Sequence, residues 1–367
     1  MQQAKSLLIS WLLLLGFSQA LISQSTFISA RLTPESGDTL YFQTDELPRR
    51  ISISPPGENQ LWNFTSLLAP YLENQFINNP GEQLEVSRNN VRNLYEVQKK
   101  GLIWKGGTSF VVGKTQINHK WSSDAGVPLP SWQMKYQDDL DFESTYSCVF
   151  SAVDIPQNWR SAIPRGVDSV RVTIMVTRSM TADATGTIML TGGSRYNVHR
   201  IRVEDVLIKK LWIKKSDTWT DLTNTTGLDD LLPEKTRSYH FISDEQGGIV
   251  CSVDLASDGD VTQVQFITPT EQANSMRKVV PSQWLFAYPN PALSVVRFKF
   301  LDIPSGKYTI RFYDILLRNL MEREYNLAGS ETVEININQL EKGTYLFSLV
   351  DENGKKIVTK RLIVIKP

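Results

Sequence analysis

The chain has 367 residues, with 39 Lys and Arg against 39 Asp and Glu, and 41% of its residues are hydrophobic. A formal net charge of zero argues against a nucleic-acid or polybasic membrane partner, both of which need an excess of cations. The apolar share is enough to fill real cores in a chain of this length.

Lys5 precedes an apolar run over residues 7–17, shorter than the ~20 residues a spanning helix needs. Ser18-Gln19-Ala20 then offers the small-x-small pattern of a signal-peptidase site, so residues 1–24 are expected to be a secretory signal. No Cys lies near the cut to carry a lipid, and no other stretch is apolar and long enough to span a membrane as a helix.

Residues 25–267 read as a β-rich body. Val170, Val172, Ile174 and Val176 alternate over 169–176, and further strands are expected over 187–190, 196–203, 206–213, 239–242 and 261–267. Gly192-Gly193, Gly247-Gly248 and Asp258-Gly259 supply turns between them. Short helical turns are expected within 61–69 and 229–232. This spacing predicts an all-β fold with a large β-sandwich body, or two packed sandwiches divided near 155–166, where Pro156, Pro164 and Gly166 cluster. Residues 268–283 are polar and aperiodic and read as a linker.

The tail, residues 284–367, is expected to be a second and smaller β-domain. Val296, Phe298 and Phe300 alternate with Arg297 and Lys299, which places the apolar three in a core and the two cations in water. Tyr308, Ile310 and Phe312, then Val333, Ile335 and Ile337, repeat the period. Lys342-Gly343 and Asn353-Gly354 are hairpin signals.

Tyr288-Pro289-Asn290-Pro291, Tyr313-Asp314, Gly343-Thr344-Tyr345 and Asn353-Gly354-Lys355, in this order and ending flush with the C-terminus, resemble the type A C-terminal sorting domain of the type IX secretion system. That family usually carries Gly-Arg or Gly-Lys shortly after its Tyr-Asp pair, where this chain has Leu317-Arg318. The resemblance implies a small immunoglobulin-like β-sandwich. It also implies the type IX translocon and a sortase-like protease cutting between body and tail as partners, and delivery through the periplasm to the outer surface of a Gram-negative bacterium. Two stretches of the body, residues 57–64 and 182–200, resemble other type IX cargo with no assigned activity.

Signatures of catalysis are sparse. The three His fall in no zinc-ligand spacing, and no nucleophile elbow or phosphate-cradling Gly loop is present. Asp139, Asp141 and Glu143 line one face of an expected strand. They are the candidates for glycan hydrolysis, which needs two carboxylates facing across a bond; a stripe on one strand is more often a solvated face. Asp254, Asp258 and Asp260 have the oxygen density of a Ca²⁺ loop without EF-hand spacing, and a plain Asp-Gly hairpin uses the same residues. No cofactor is implied. Cys148 and Cys251 each sit in an alternating apolar run; they are a disulfide candidate on neighbouring strands, or two buried thiols. Trp121, Trp132 and Trp159 stand in loop-like sequence, as sugar-stacking platforms or as plugs of the core. The reading is a secreted, non-enzymatic β-sandwich protein, with a glycan-active hydrolase and a carbohydrate-binding module as alternatives.

Overall fold

Val170, Val172, Ile174 and Val176 point inward from one strand, as their spacing of two requires, yet that strand runs on to Leu190. A computed structural model describes residues 37–366 apart from 38, 71, 79–82, 89–90, 99–100, 131–133, 225–226, 247, 270–271, 274–284 and 302. The signal segment 1–24, most of the 268–283 linker and Trp132 lie outside the described residues.

In chain order the body begins with β1 (Thr39–Asp45), β2 (Gly57–Phe64), β3 (Glu73–Asn78) and β4 (Gln83–Arg88). It continues with β5 (Val91–Gln98), β6 (Gly101–Gly107), β7 (Phe110–Val112), β8 (Thr115–Ile117), β9 (Trp121–Pro128) and β10 (Asp139–Ser151). The long strands β11 (Ser169–Leu190) and β12 (Arg195–Lys215) form a hairpin, followed by β13 (Thr218–Asp221), β14 (Glu234–Ser243), β15 (Gly248–Leu255) and β16 (Val261–Ile267). Residues 61–64, expected in a helical turn, belong to β2, where Trp62 and Phe64 alternate into the core; a 3₁₀ turn does form at Asp229–Leu231.

Hydrogen-bonded neighbours run β12-β14-β15-β16-β1-β3-β4-β5-β6-β9-β10-β11, and β11 pairs again with β12, so the ladder closes on itself. β13 joins β12 alongside, and β2 runs parallel to the second half of β11. The expected all-β class holds, with most of the body's strands in one closed ladder and β7 and β8 paired apart as a small hairpin. At Asp183 an extra residue is inserted between Ala182 and Ala184, and across from it the consecutive Arg200 and Ile201 both face inward. Such a bulge re-aims the strand without ending it.

Three clusters of buried side chains are strung along this hairpin. Trp104, Trp121, Tyr146 and Trp159 pack on Val170 to Val176 and on Leu211 and Ile213. Met180, Ala182, Ile201, Val203 and Ile242 follow, and then Trp62, Phe64, Phe241 and Phe266 with Ile188 and Leu190. Each buried phenylalanine of this kind stabilises by roughly 1.5–3 kcal/mol relative to an exposed one. No boundary falls at 155–166, because Ile155, Trp159 and Ile163 are buried in the first cluster and β10 pairs with β11 along its whole length. The start of the expected linker is also held on the body: Thr268 donates from its backbone to Tyr41 O (2.8 Å) and from its hydroxyl to Gln43 (3.0 Å).

Among the described residues the tail has seven strands, β17 (Leu285–Tyr288), β18 (Val295–Phe300), β19 (Ile303–Tyr313), β20 (Asn319–Gly329), β21 (Thr332–Asn336), β22 (Gly343–Asp351) and β23 (Lys356–Val364). They form a three-stranded sheet, β17-β18-β21, and a four-stranded sheet, β20-β19-β22-β23. Phe298, Phe312 and Phe347 meet between them, with ring centroids 4.9–6.4 Å apart. That arrangement is the sandwich the alternation predicts.

Candidate functional site

Asp139, Asp141 and Glu143 project from the outer face of β10 and are exposed. Their cross-strand neighbours on β11 are Thr181, Ser179 and Thr177, and the Ser179 hydroxyl donates to Asp141. Two grooves of about 400 and 380 Å³ indent the described surface. The first is lined by Pro70, Leu285, Phe286, Ala287, Asn290, Phe347, Lys360 and Arg361, the second by Arg50, Ser52, Ser54, Leu61, Asn63, Thr65 and Ser66. The acidic stripe enters neither. Asp258 accepts the Asp260 N–H (3.1 Å) within the β15–β16 turn, closed by Ala256 N to Asp260 O (2.8 Å). That turn is the Asp-Gly hairpin of the two readings, and no metal-holding group of three side chains occurs among the described residues.

Cys148 and Cys251 are both buried and unbonded, Cys148 in the tryptophan-rich cluster and Cys251 with Phe241 and Phe266. β10 and β15 are not neighbours in the ladder, so the expected pairing on adjacent strands fails. Burial pushes the Cys148 thiol up to about 12 and the Cys251 thiol well above its ordinary value, so neither supplies a thiolate. Trp121 and Trp159 are 1% exposed and plug the core. Loop-like sequence surrounds Trp159 because its Nε1–H donates to Asp230 (2.8 Å), which also accepts from Thr115 (2.5 Å), Asn158 (3.1 Å) and the Lys114 backbone (2.7 Å). Trp212 and Trp219 are partly exposed, and the Arg171 guanidinium lies over both rings at 5.3 and 4.5 Å.

The sorting-motif residues shape the tail. Asn290 donates to Arg361 O (2.9 Å) and accepts from Ile363 N (2.9 Å), which ties the Pro289-Asn290-Pro291 segment to β23 beside the buried Tyr288. Asp314 accepts the N–H groups of Leu316 and Arg318 (both 2.9 Å) and the Arg318 side chain (2.6 Å). Desolvation acts against its charge, but these donors hold the Asp314 carboxyl below its ordinary value. Leu317 takes the left-handed conformation here, φ 63°, at the place where the family's Gly would adopt it without strain. Tyr345, next to Gly343, donates its hydroxyl to Glu341 O (2.7 Å), as Tyr308 does to Pro304 O (2.9 Å). Asn353, Gly354 and Lys355 form the β22–β23 turn, with Asp351 accepting from Asn353 N (3.0 Å) and Lys355 N (2.9 Å).

Arg297 and Lys299 overturn one expectation. Neither meets water: their side chains are 2% and 6% exposed, because the end of β1 covers that face of β18. Arg297 Nη1 donates to Asp45 Oδ1 (2.8 Å), Nη2 to Leu47 O, and Nε to Glu334 on the paired strand (3.2 Å). Lys299 donates to Glu46, whose other oxygen accepts from Thr332 (2.6 Å). Asp45 also accepts from Leu47 N (3.0 Å) and Leu68 N (2.7 Å); burial raises its pKa against the lowering effect of those donors and of Arg297. The sequence signal was an adjacent acid pair, Asp45-Glu46, and a cation pair two apart on one strand. Nothing local linked them.

The two body stretches that resemble other cargo lie side by side. Residues 57–64 are β2, which pairs in parallel with 184–190 of β11. Gly186 permits the approach, since a Cβ there would sit 2.0 Å from Gln60 O. Asp183, the bulge residue, binds Arg200 Nε (2.7 Å), and Arg200 donates again to Ser54 O (2.7 Å).

Residues 287–366 match the family described as the secretion system C-terminal sorting domain. The tail is therefore a sorting domain, and the chain that bears it is cargo for type IX export. No curated protein matches the chain. Among solved structures, it is similar to an exported protein with a YmcC-like fold from Bacteroides fragilis, at 9% identity over 64% of this chain and 94% of that one, TM-score 0.21. It is also similar to PorZ, a surface component of the type IX secretion system of Porphyromonas gingivalis, at 10% identity and TM-score 0.19. That match covers 83% of this chain and only 51% of PorZ, about half its length.

Proposed function

We propose that the chain is a non-enzymatic β-rich protein that reaches the outer surface of a Gram-negative bacterium through the periplasm, where its body acts by contact. The observation that carries this reading is where the carboxylates sit: Asp139, Asp141 and Glu143 share one outward strand face, and neither described groove receives them. The direction of the alternation supports an aqueous setting, since Tyr146, Cys148 and Phe150 on β10 point inward and the acids outward. A lipid-facing barrel has the opposite pattern. The translocon and a sortase-like protease are the partners of the tail, with the body ending at 267 and the cut falling within the 268–283 linker.

The test is deletion of residues 284–367 followed by cell fractionation. Retention in the periplasm is expected, and normal surface levels of the truncated protein would refute the sorting role. Glycan turnover by the intact protein that disappears in Asp141→Asn would overturn the non-enzymatic reading.

A further inference from the structure

β18 is covered on both sides. Val296, Phe298 and Phe300 enter the tail's own core, while Arg297 and Lys299 lie beneath the body. Their cross-strand partners are Glu334 and Thr332 on β21 and Tyr288 and Phe286 on β17, so the covered face sets four polar side chains beside two buried aromatic ones. It carries two cations and one carboxylate, a surplus of one positive charge; the body sets the adjacent carboxylates of Asp45 and Glu46 and the Leu47 carbonyl against the cations, and the more exposed Arg49 guanidinium against Glu334.

A permanent seam has no need of these charges. Replacing a buried ion pair by well-packed apolar residues is often neutral or stabilising. Obligate interfaces resemble a core cut in half, whereas interfaces that open are more polar. Cations on this face keep the tail soluble when it is uncovered, which apolar residues would not.

We propose that the Arg297–Lys299 face of the tail is a docking site for an acidic strap of a protein partner, with the chain's own Asp45-Glu46-Leu47 as its resting occupant. A partner that lifts the tail from the body presents two neighbouring carboxylates, one to the Arg297 guanidinium and one to Lys299 and Thr332. In the resting chain the site is filled from within, at the high effective concentration of a tethered ligand. A free strap therefore competes poorly until the internal one is weakened. The inference stands on the seam and does not depend on the route of export.

The experiment uses the full chain carrying Asp45→Asn and Glu46→Gln, and a fluorescent peptide of residues 43–48. The peptide is expected to bind the double variant at least tenfold more tightly than the wild type. A peptide with Asn and Gln in place of its acids, or a double variant also carrying Arg297→Gln, is expected to lose that binding. Equal binding to wild type and variant, or binding that survives Arg297→Gln, overturns the proposal. Should the double variant not fold, Glu46→Gln alone takes its place, since it leaves the Asp45–Arg297 pair intact. Hydrogen exchange of the β18 amides is then read with each peptide: protection gained with the acidic peptide only supports the site, and unchanged protection overturns it.

Discussion

Among the described residues, the body and the seam each withdraw one arginine from water, and each provides for it differently. Arg200 is wholly buried within the body, bonded to Asp183 and Ser54 and lying 4.7 Å from the Tyr239 ring and 5.6 Å from the Trp62 ring. Its partners come from β11, β14, β2 and the segment before β2, all parts of the body. Arg297 takes Glu334 from its own domain and Asp45 and Leu47 from the other. The same side chain therefore makes a rivet in one place and a latch in the other. Loss of the first should unfold the body, and loss of the second should only part the domains.

The sharpest way to break this contrast is Arg200→Met. It strands Asp183 in the interior without a counter-ion, and destabilisation of about 3–5 kcal/mol is expected. Chemical denaturation followed by tryptophan fluorescence reads it directly; a change below about 1 kcal/mol would mean that the pair is not structural. Asp45→Asn is the matching change at the seam. Arg297 keeps Glu334 and Leu47, so a smaller loss is expected, about 1.5–3 kcal/mol for one charged hydrogen bond. Calorimetry should show tail and body melting together in the wild type and separately in the variant. A single transition shifted as a whole would place Asp45 with the rivets.

How far the two arginines could be foreseen depends on the range of their partners. The tail was legible because its connections are short hairpins and turns such as Asn353-Gly354. The other face of β18 was not, since Arg297 finds Asp45 across 252 residues of chain. In the body, 196–203 and 206–213 read as two strands because Glu204 and Asp205 interrupt the apolar run, yet β12 continues through both, with Asp205 bonded to Arg178 on the neighbouring strand. The tryptophans followed the plug reading: Trp121 opens β9 and Trp159 closes the core from a short 3₁₀ turn, where its polar neighbour Asn158 serves Asp230. For the acidic stripe on β10, the solvated reading was visible in its spacing.

Mild acid gives the gentlest test, and its histidine part falls on the body, where all three histidines lie. His240 is held between the hydroxyls of Ser238 (2.9 Å) and Ser252 (3.0 Å). Burial, aided by the Arg178 charge, pushes its pKa down to about 3. The unfolded chain binds a proton there near pH ~6.5 while the folded chain does not. Stability should therefore fall as pH drops below that point, by up to about 1.4 kcal/mol per pH unit. His199, also lowered by burial, adds in the same direction. His240→Gln should flatten the slope between pH 6.5 and 5; an unchanged slope would assign the acid sensitivity elsewhere.

The pairing of β1 with β16 that completes the ladder has a consequence for the order of assembly. Phe42 meets Ile267 and Asp45 meets Val264, so the body's first strand waits for its last before either is fully paired. Contacts of such separation form late, after the entropy of closing the long loop has been overcome. Until then β16 and the β1–β3 side each present an open edge, the kind of surface on which chains aggregate. Asp45 ends β1, so the acidic strap reaches its place only once that last pairing is made. A docked tail is in this sense a receipt for a finished body, and a chain whose barrel is still open would carry its sorting domain loose.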